Sequence, residues 1–118
     1  MLGGLVQAEA SQARDRLLAE AAAREAAGER GAAQNLYLQV LRHDPANVAG
    51  RFGFARQLLG NGLLADGIAQ LRRLLKHAPD HAPAHVALGL ALRRSGDLAG
   101  ATAALTEAIR LDPAEATL

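Results

Sequence analysis

The chain has no cysteine and no tryptophan, and Tyr37, Phe52 and Phe54 are its only aromatic residues. Without thiols there is no disulfide, no thiolate nucleophile and no thiolate metal site, and the same lack favours the cytoplasm. A charge excess is missing too: 13 basic residues against 12 acidic leave a net charge of +1, which excludes the broad cationic footprint that nucleic-acid binding requires. No stretch approaches the ~20 apolar residues of a membrane span, so no membrane insertion is expected. Residues 1–8, with Gly3, Gly4 and Gln7, lack the basic leader and long apolar run of a secretion signal.

Groups suited to catalysis are equally scarce. The side-chain hydroxyls are Ser11, Ser95, Thr102, Thr106, Thr117 and Tyr37, and Ser95-Gly96-Asp97 reads as a turn because all three residue types favour one. The glycines are not clustered into a phosphate loop. His77, His81 and His85 follow one another by four, a spacing that would aim imidazoles at a metal on a continuous helix, but Pro79 and Pro83 interrupt it. His77 and His43 instead fall in last helical turns, where the helix dipole favours a cation. No enzymatic activity, cofactor or metal is expected.

What the chain does have is alanine and leucine, the strongest apolar helix formers, in a length that suits one domain. An all-α fold follows, of a bacterial style in its abundance of alanine, arginine and glycine. Pro45, Pro79 and Pro113 are equally spaced along the chain, and Gly28, Gly62 and Gly96 keep the same period. Shifting the chain by that period aligns small residues at Ala21, Ala55 and Gly89 and at Ala33, Gly67 and Ala101. Larger ones align at Tyr37, Leu71 and Leu105 and at Val40, Leu74 and Ala108. Spacings of three and four within each half-period put these residues on one helical stripe, so each period is a pair of amphipathic helices. Asp44-Pro45 and Asp112-Pro113 are stop signals, and the glycines suit the left-handed position that closes a helix. Helices are expected near 14–27, 31–43, 48–60, 65–77, 82–95 and 99–111. The first unit departs from the pattern, with Glu20 and Arg24 in columns that are apolar at Phe54 and Leu88 and at Leu58 and Leu92.

This pattern, in both its spacing and its columns, resembles the tetratricopeptide repeat. The resemblance implies a right-handed superhelix of three antiparallel helix-turn-helix units at 14–47, 48–81 and 82–115, with a partly helical or disordered lead-in at 1–13 and a tail at 116–118. It also implies a concave face lined by the first helix of each unit, where related proteins hold peptides. Leu18 would contribute from the first unit, with Asp15, Ala22 and Glu25 beside it. Phe52, Arg56 and Leu59 would come from the second, with Ala49 and Gly53, and Val86, Leu90, Arg93 and Arg94 from the third, with Ala87. The apolar members imply an apolar groove, and the arginines suit carboxylates, so an amphipathic, acidic protein segment or peptide is the expected partner. A clamp for a chaperone's terminal carboxylate, another use of the family, would fall on Leu18, Ala22, Gly53, Pro83 and Ala87, none of which can bind a carboxylate through its side chain. No polar helix follows the last unit, so Leu98, Leu105 and Ile109 are expected to stay partly bare and to offer an end for a homodimer. The expected function is a protein-interaction module. The alternatives are an accessory domain of a larger protein, such as a transferase, and a self-associating array.

Overall fold

The computed structural model describes residues 2–114 and consists of six helices: α1 (Leu2–Ala26), α2 (Arg30–His43), α3 (Val48–Gly60), α4 (Leu64–His77), α5 (Ala82–Ser95) and α6 (Leu98–Leu111). Consecutive helices pack as the pairs α1/α2, α3/α4 and α5/α6, and α2 against α3 and α4 against α5 join pair to pair, giving an elongated body of 51 × 29 × 24 Å. No helix among the described residues is long and apolar enough to cross a membrane.

Each pair turns in the same way. Gly28, Gly62 and Gly96 have φ of +79°, +81° and +93°, a conformation that side chains with a Cβ resist. The residue after each glycine donates its N–H to the carbonyl five residues back: Glu29 to Arg24, Leu63 to Leu58 and Asp97 to Leu92, each at 2.9 Å. This closes the helix end and reverses the chain. Between pairs, Asp44, Ala78 and Asp112 leave helical geometry ahead of the three prolines, with ψ of 78°, 72° and 96°, as steric conflict with the proline ring demands. The linker is then tied back from the following helix. Arg51 donates to the carbonyl of Pro45 at 2.7 Å and to Gln70, and His85, its counterpart one unit later, bonds the carbonyl of Pro79 at 2.8 Å. The column of Leu17, Arg51 and His85 thus works through hydrogen bonding in two of its three members.

The columns read from the sequence as packing positions are the interior. Ala21, Ala33, Tyr37, Val40, Ala55, Leu71, Leu74, Ala101 and Ala108 are buried, as are Gly67 and Gly89. The glycines are there because neighbouring side chains lie across them: a Cβ at Gly67 would overlap Leu59, and one at Gly89 would overlap Leu105. The main core joins α3 to α6 around Leu71 and Leu74, while α1 and α2 share a smaller cluster of Ala21, Ala33 and Tyr37, backed by Leu18, Leu36 and Phe54.

The two ends of the array differ. On α1, Arg16, Glu20 and Arg24 are exposed at the places taken by Gly50, Phe54 and Leu58 one unit later, and Arg24 pairs with Glu29 at 2.8 Å and with Glu20 at 3.8 Å. On α6, Leu98 and Ile109 are 65% and 45% exposed, whereas Leu105 is half-buried over Gly89. The segment expected as a lead-in is helical from Leu2, continuous with α1. The tail expected at 116–118 lies outside the described residues.

Candidate functional site

Leu18 and Ala22 of α1, Tyr37 of α2, Val48, Ala49, Phe52 and Arg56 of α3, and His81 at the start of α5 enclose a hollow of about 460 Å³. Three of the expected groove residues, Leu18, Phe52 and Arg56, therefore meet in one place. Leu18, Phe52 and Val86 hold one position of the repeat, and Ala22, Arg56 and Leu90 hold another, so the same helical face is presented unit after unit.

Two residues of the hollow, Tyr37 and Arg56, belong to a polar network centred on Glu25. The guanidinium of Arg56 grips both carboxylate oxygens of Glu25, Nε to Oε2 at 2.8 Å and an Nη to Oε1 at 2.9 Å. Tyr37 donates its hydroxyl proton to the same Oε1 at 2.8 Å and accepts from Arg56 at 3.3 Å. The guanidinium carbon of Arg56 lies over the ring of Phe52, 4.5 Å from its centroid, a cation–π geometry, and Phe52 meets the ring of His81 edge to face at 5.0 Å. Tyr37 reaches this network because residue 53 is glycine: a Cβ there would overlap the tyrosine ring.

Charges follow from these partners. The Arg56 hydrogen bond, strongest of several causes, holds the Glu25 carboxyl below the usual glutamate range, and the same bond raises Arg56. Burial raises the Tyr37 phenol, with the Glu25 carboxylate adding to it. Because the folded carboxyl ionises more readily than the unfolded one, the pair stabilises the fold at neutral pH, and that stabilisation is lost as pH falls from about 4.3 through the depressed folded value. In Glu25→Gln, urea unfolding followed between pH 7 and 3 will show a weaker loss of stability on acidification than the wild type. Parallel profiles would remove the pair as a contributor.

The remaining expected residues are placed differently. Leu59 packs over Gly67 and borders a second, more polar cleft with Glu25, Gly28, Arg30, Arg56 and Gln57. Val86 is half-buried, Leu90 is 41% exposed, and Arg93 and Arg94 are exposed at the end of α5; none of the four lines the hollow. Arg93 and Arg94 have no carboxylate partner among the described residues. Asp15 and Ala49 are exposed, Ala87 is half-buried, and Gly53 is buried beneath Tyr37.

Two contributors escape the sequence. The repeat marks Tyr37 as a packing position alone, yet its hydroxyl is also the third member of the Arg56–Glu25 network. His81 stands out in the sequence only as a metal ligand, and the signal that could have found it is its place one full repeat after Asn47, the cap of α3. Two of the three spaced histidines are engaged with protein groups: Nδ1 of His81 accepts from the Ala84 N–H, and His85 bonds Pro79. No group of three or more metal-binding side chains occurs among the described residues.

Comparison with known proteins agrees with this architecture. Among solved structures, the first tetratricopeptide domain of Spaghetti (RPAP3), bound to an HSP90 peptide, is 19% identical with a TM-score of 0.85, covering 91% of this chain and 86% of that one. The Sgt2 tetratricopeptide domain from Aspergillus fumigatus is 27% identical with a TM-score of 0.80 over 85% of this chain and 66% of that one. A Thermobaculum terrenum O-GlcNAc transferase is 24% identical with a TM-score of 0.86; 88% of this chain is covered but only 20% of the transferase, so the chain spans about a fifth of that protein. No match is found among curated proteins. The family model for the tetratricopeptide repeat matches residues 52–116, more than half of the chain, and with six helices in three like pairs the protein belongs to the tetratricopeptide repeat family.

Proposed function

We propose that this protein is an interaction module that holds a segment of another protein along the face formed by α1, α3 and α5. The observation that carries this reading is the hollow in which Leu18, Phe52 and Arg56 meet, open at the surface and lined mostly by apolar side chains. An apolar side chain of the partner would seat against Leu18 and Phe52. Arg56 is already neutralised by Glu25, so acidic residues of the partner would be met by Arg93 and Arg94, whose guanidinium groups have no competing carboxylate among the described residues. These lie roughly 17 Å along α5 from its start, which an extended segment crosses in about five residues. Val86 and Leu90, on the helix between, would carry the intervening contacts. Catalysis has no place in this reading.

The test is capture with the wild type beside the double variant Phe52→Asp, Leu90→Asp, with circular dichroism to establish that both fold. A partner recovered by the wild type will be lost from the variant, and equal recovery by both removes the groove. A second reading, an accessory domain working beside a catalytic one, is favoured by the likeness to one fifth of the Thermobaculum transferase. In that case the bare side of α6, with Leu98 and Ile109, is where a further unit or a second copy would pack.

A further inference from the structure

We propose that His81 is a pH-sensitive latch at the wall of the hollow: neutral, it closes the first turn of α5, and protonated, it loosens that turn. The geometry carries this. His81 is the N-cap of α5, with φ −80° and ψ 90°, and its Nδ1 accepts the Ala84 N–H at 3.1 Å, a donor it shares with its own backbone carbonyl, also at 3.1 Å. A helix cap must be an acceptor, so Nδ1 is unprotonated here and the proton is on Nε2. An imidazolium has two donors and no acceptor. Protonation therefore removes the side-chain half of the cap, leaving the Ala84 N–H to the His81 carbonyl alone, and sets a cation at the positive end of the helix dipole. The equivalent cap one unit earlier is Asn47, which accepts the Gly50 N–H at 2.7 Å, and the cap of α6 is Asp97, which accepts from Gly100 at 2.9 Å. Among the side-chain caps of the described helices only that of α5 is an imidazole, the side chain whose ordinary titration falls near neutrality.

The surroundings oppose the charged ring. Phe52 stands edge to face against it, and beyond Phe52 lies the Arg56 guanidinium, fixed by Glu25 of α1. From its own segment a hydrogen bond to its own backbone and Asp80 favour the cation, and His85 disfavours it; α1 and α2 bring only Leu18, Ala22 and Tyr37 to the shared hollow, and Lys76 and His77 at the end of α4 are exposed. Burial, the largest influence, holds His81 below the ordinary histidine value. The sign follows. A base that protonates less readily when folded stabilises the fold above its unfolded value of about 6.5, and that contribution is lost as pH falls from there through the lower folded value. The latch bears on the wall of the binding surface proposed above, but it can be read without any ligand, so the two stand or fall separately.

The experiment grafts the neighbouring unit's solution. Wild type and His81→Asn are compared by amide NMR and thermal unfolding from pH 7.5 to 5.0, with His81→Ala as the uncapped reference. In the wild type, the Ala84 amide will move with a midpoint below 6.5, and its exchange relative to His81→Asn at the same pH will rise about fivefold by pH 5, the equivalent of a lost cap. At that pH the wild type will approach His81→Ala in unfolding midpoint, and His81→Asn will not. An Ala84 amide indifferent to pH, an equal acid response in His81→Asn, or a His81 midpoint above the ordinary histidine value each overturns the proposal.

Discussion

Leu71→Ala will lower the stability of the protein by about 2–5 kcal/mol, a large part of the ~5–15 kcal/mol that holds a domain of this kind together. Leu71 is wholly buried on α4, within the cluster that joins α3 to α6 around Ala55, Leu74, Leu88 and Ala101. Half of the buried cluster is alanine, Ala55, Ala84, Ala91, Ala101 and Ala104, whose side chains have no length to give. The helices themselves are held by turns hydrogen-bonded on both sides, so the space vacated by three carbons stays largely open. At roughly 3–6 °C per kcal/mol, the unfolding midpoint will fall by about 6–30 °C. Ile109→Ala, which shortens a side chain already 45% exposed, will move it by less than about 0.5 kcal/mol. A loss under about 1 kcal/mol for Leu71→Ala would mean that the array collapses around the gap.

Gly53→Val will be nearly as damaging, although it replaces the residue that helices tolerate least after proline. The ring of Tyr37 occupies the space of the missing side chain, and the ring is also held by its hydroxyl to Glu25 and Arg56. The new side chain must expel it, so overpacking of roughly 1–3 kcal/mol is joined by the loss of a hydrogen bond of about 1 kcal/mol. The diagnostic is the double variant Gly53→Val, Tyr37→Ala. If the clash is the cause, the double variant will be no less stable than Tyr37→Ala alone, whereas additive losses would point to a backbone effect at position 53. Gly4, with open space around it, offers the contrast: Gly4→Ala removes a poor helix former and meets nothing.

The sequence carries the architecture because its punctuation is physical. A proline that straightens the residue before it and a glycine that alone accepts a positive φ fix the ends of helices locally, so the observed limits of α2 to α6 lie within a residue or so of those expected. The first helix is different. The repeat register starts it at residue 14, yet nothing between Leu2 and Ala13 stops a helix, and alanine, glutamine and glutamate extend it outward by propensity. The family match, which begins at Phe52, leaves the same unit uncovered. Within the hollow, Leu18, Phe52 and Arg56 are legible as positions on one helical face. That Arg56 is already paired is not: Glu25 lies far off in sequence on another helix, and only the packing of α1 against α3 makes them partners.

The charged outer column of α1 and the apolar outer side of α6 make the array directional. Lengthening it at the rear requires only another unit of the same kind, whose first helix would settle against Leu98 and Ile109 much as α5 settles against α4. Lengthening it at the front would bury Arg16, Glu20 and Arg24 against an apolar neighbour and break the pairing of Arg24 with Glu20 and Glu29. Stacking of like units is therefore favoured on the α6 side of the array and opposed on the α1 side.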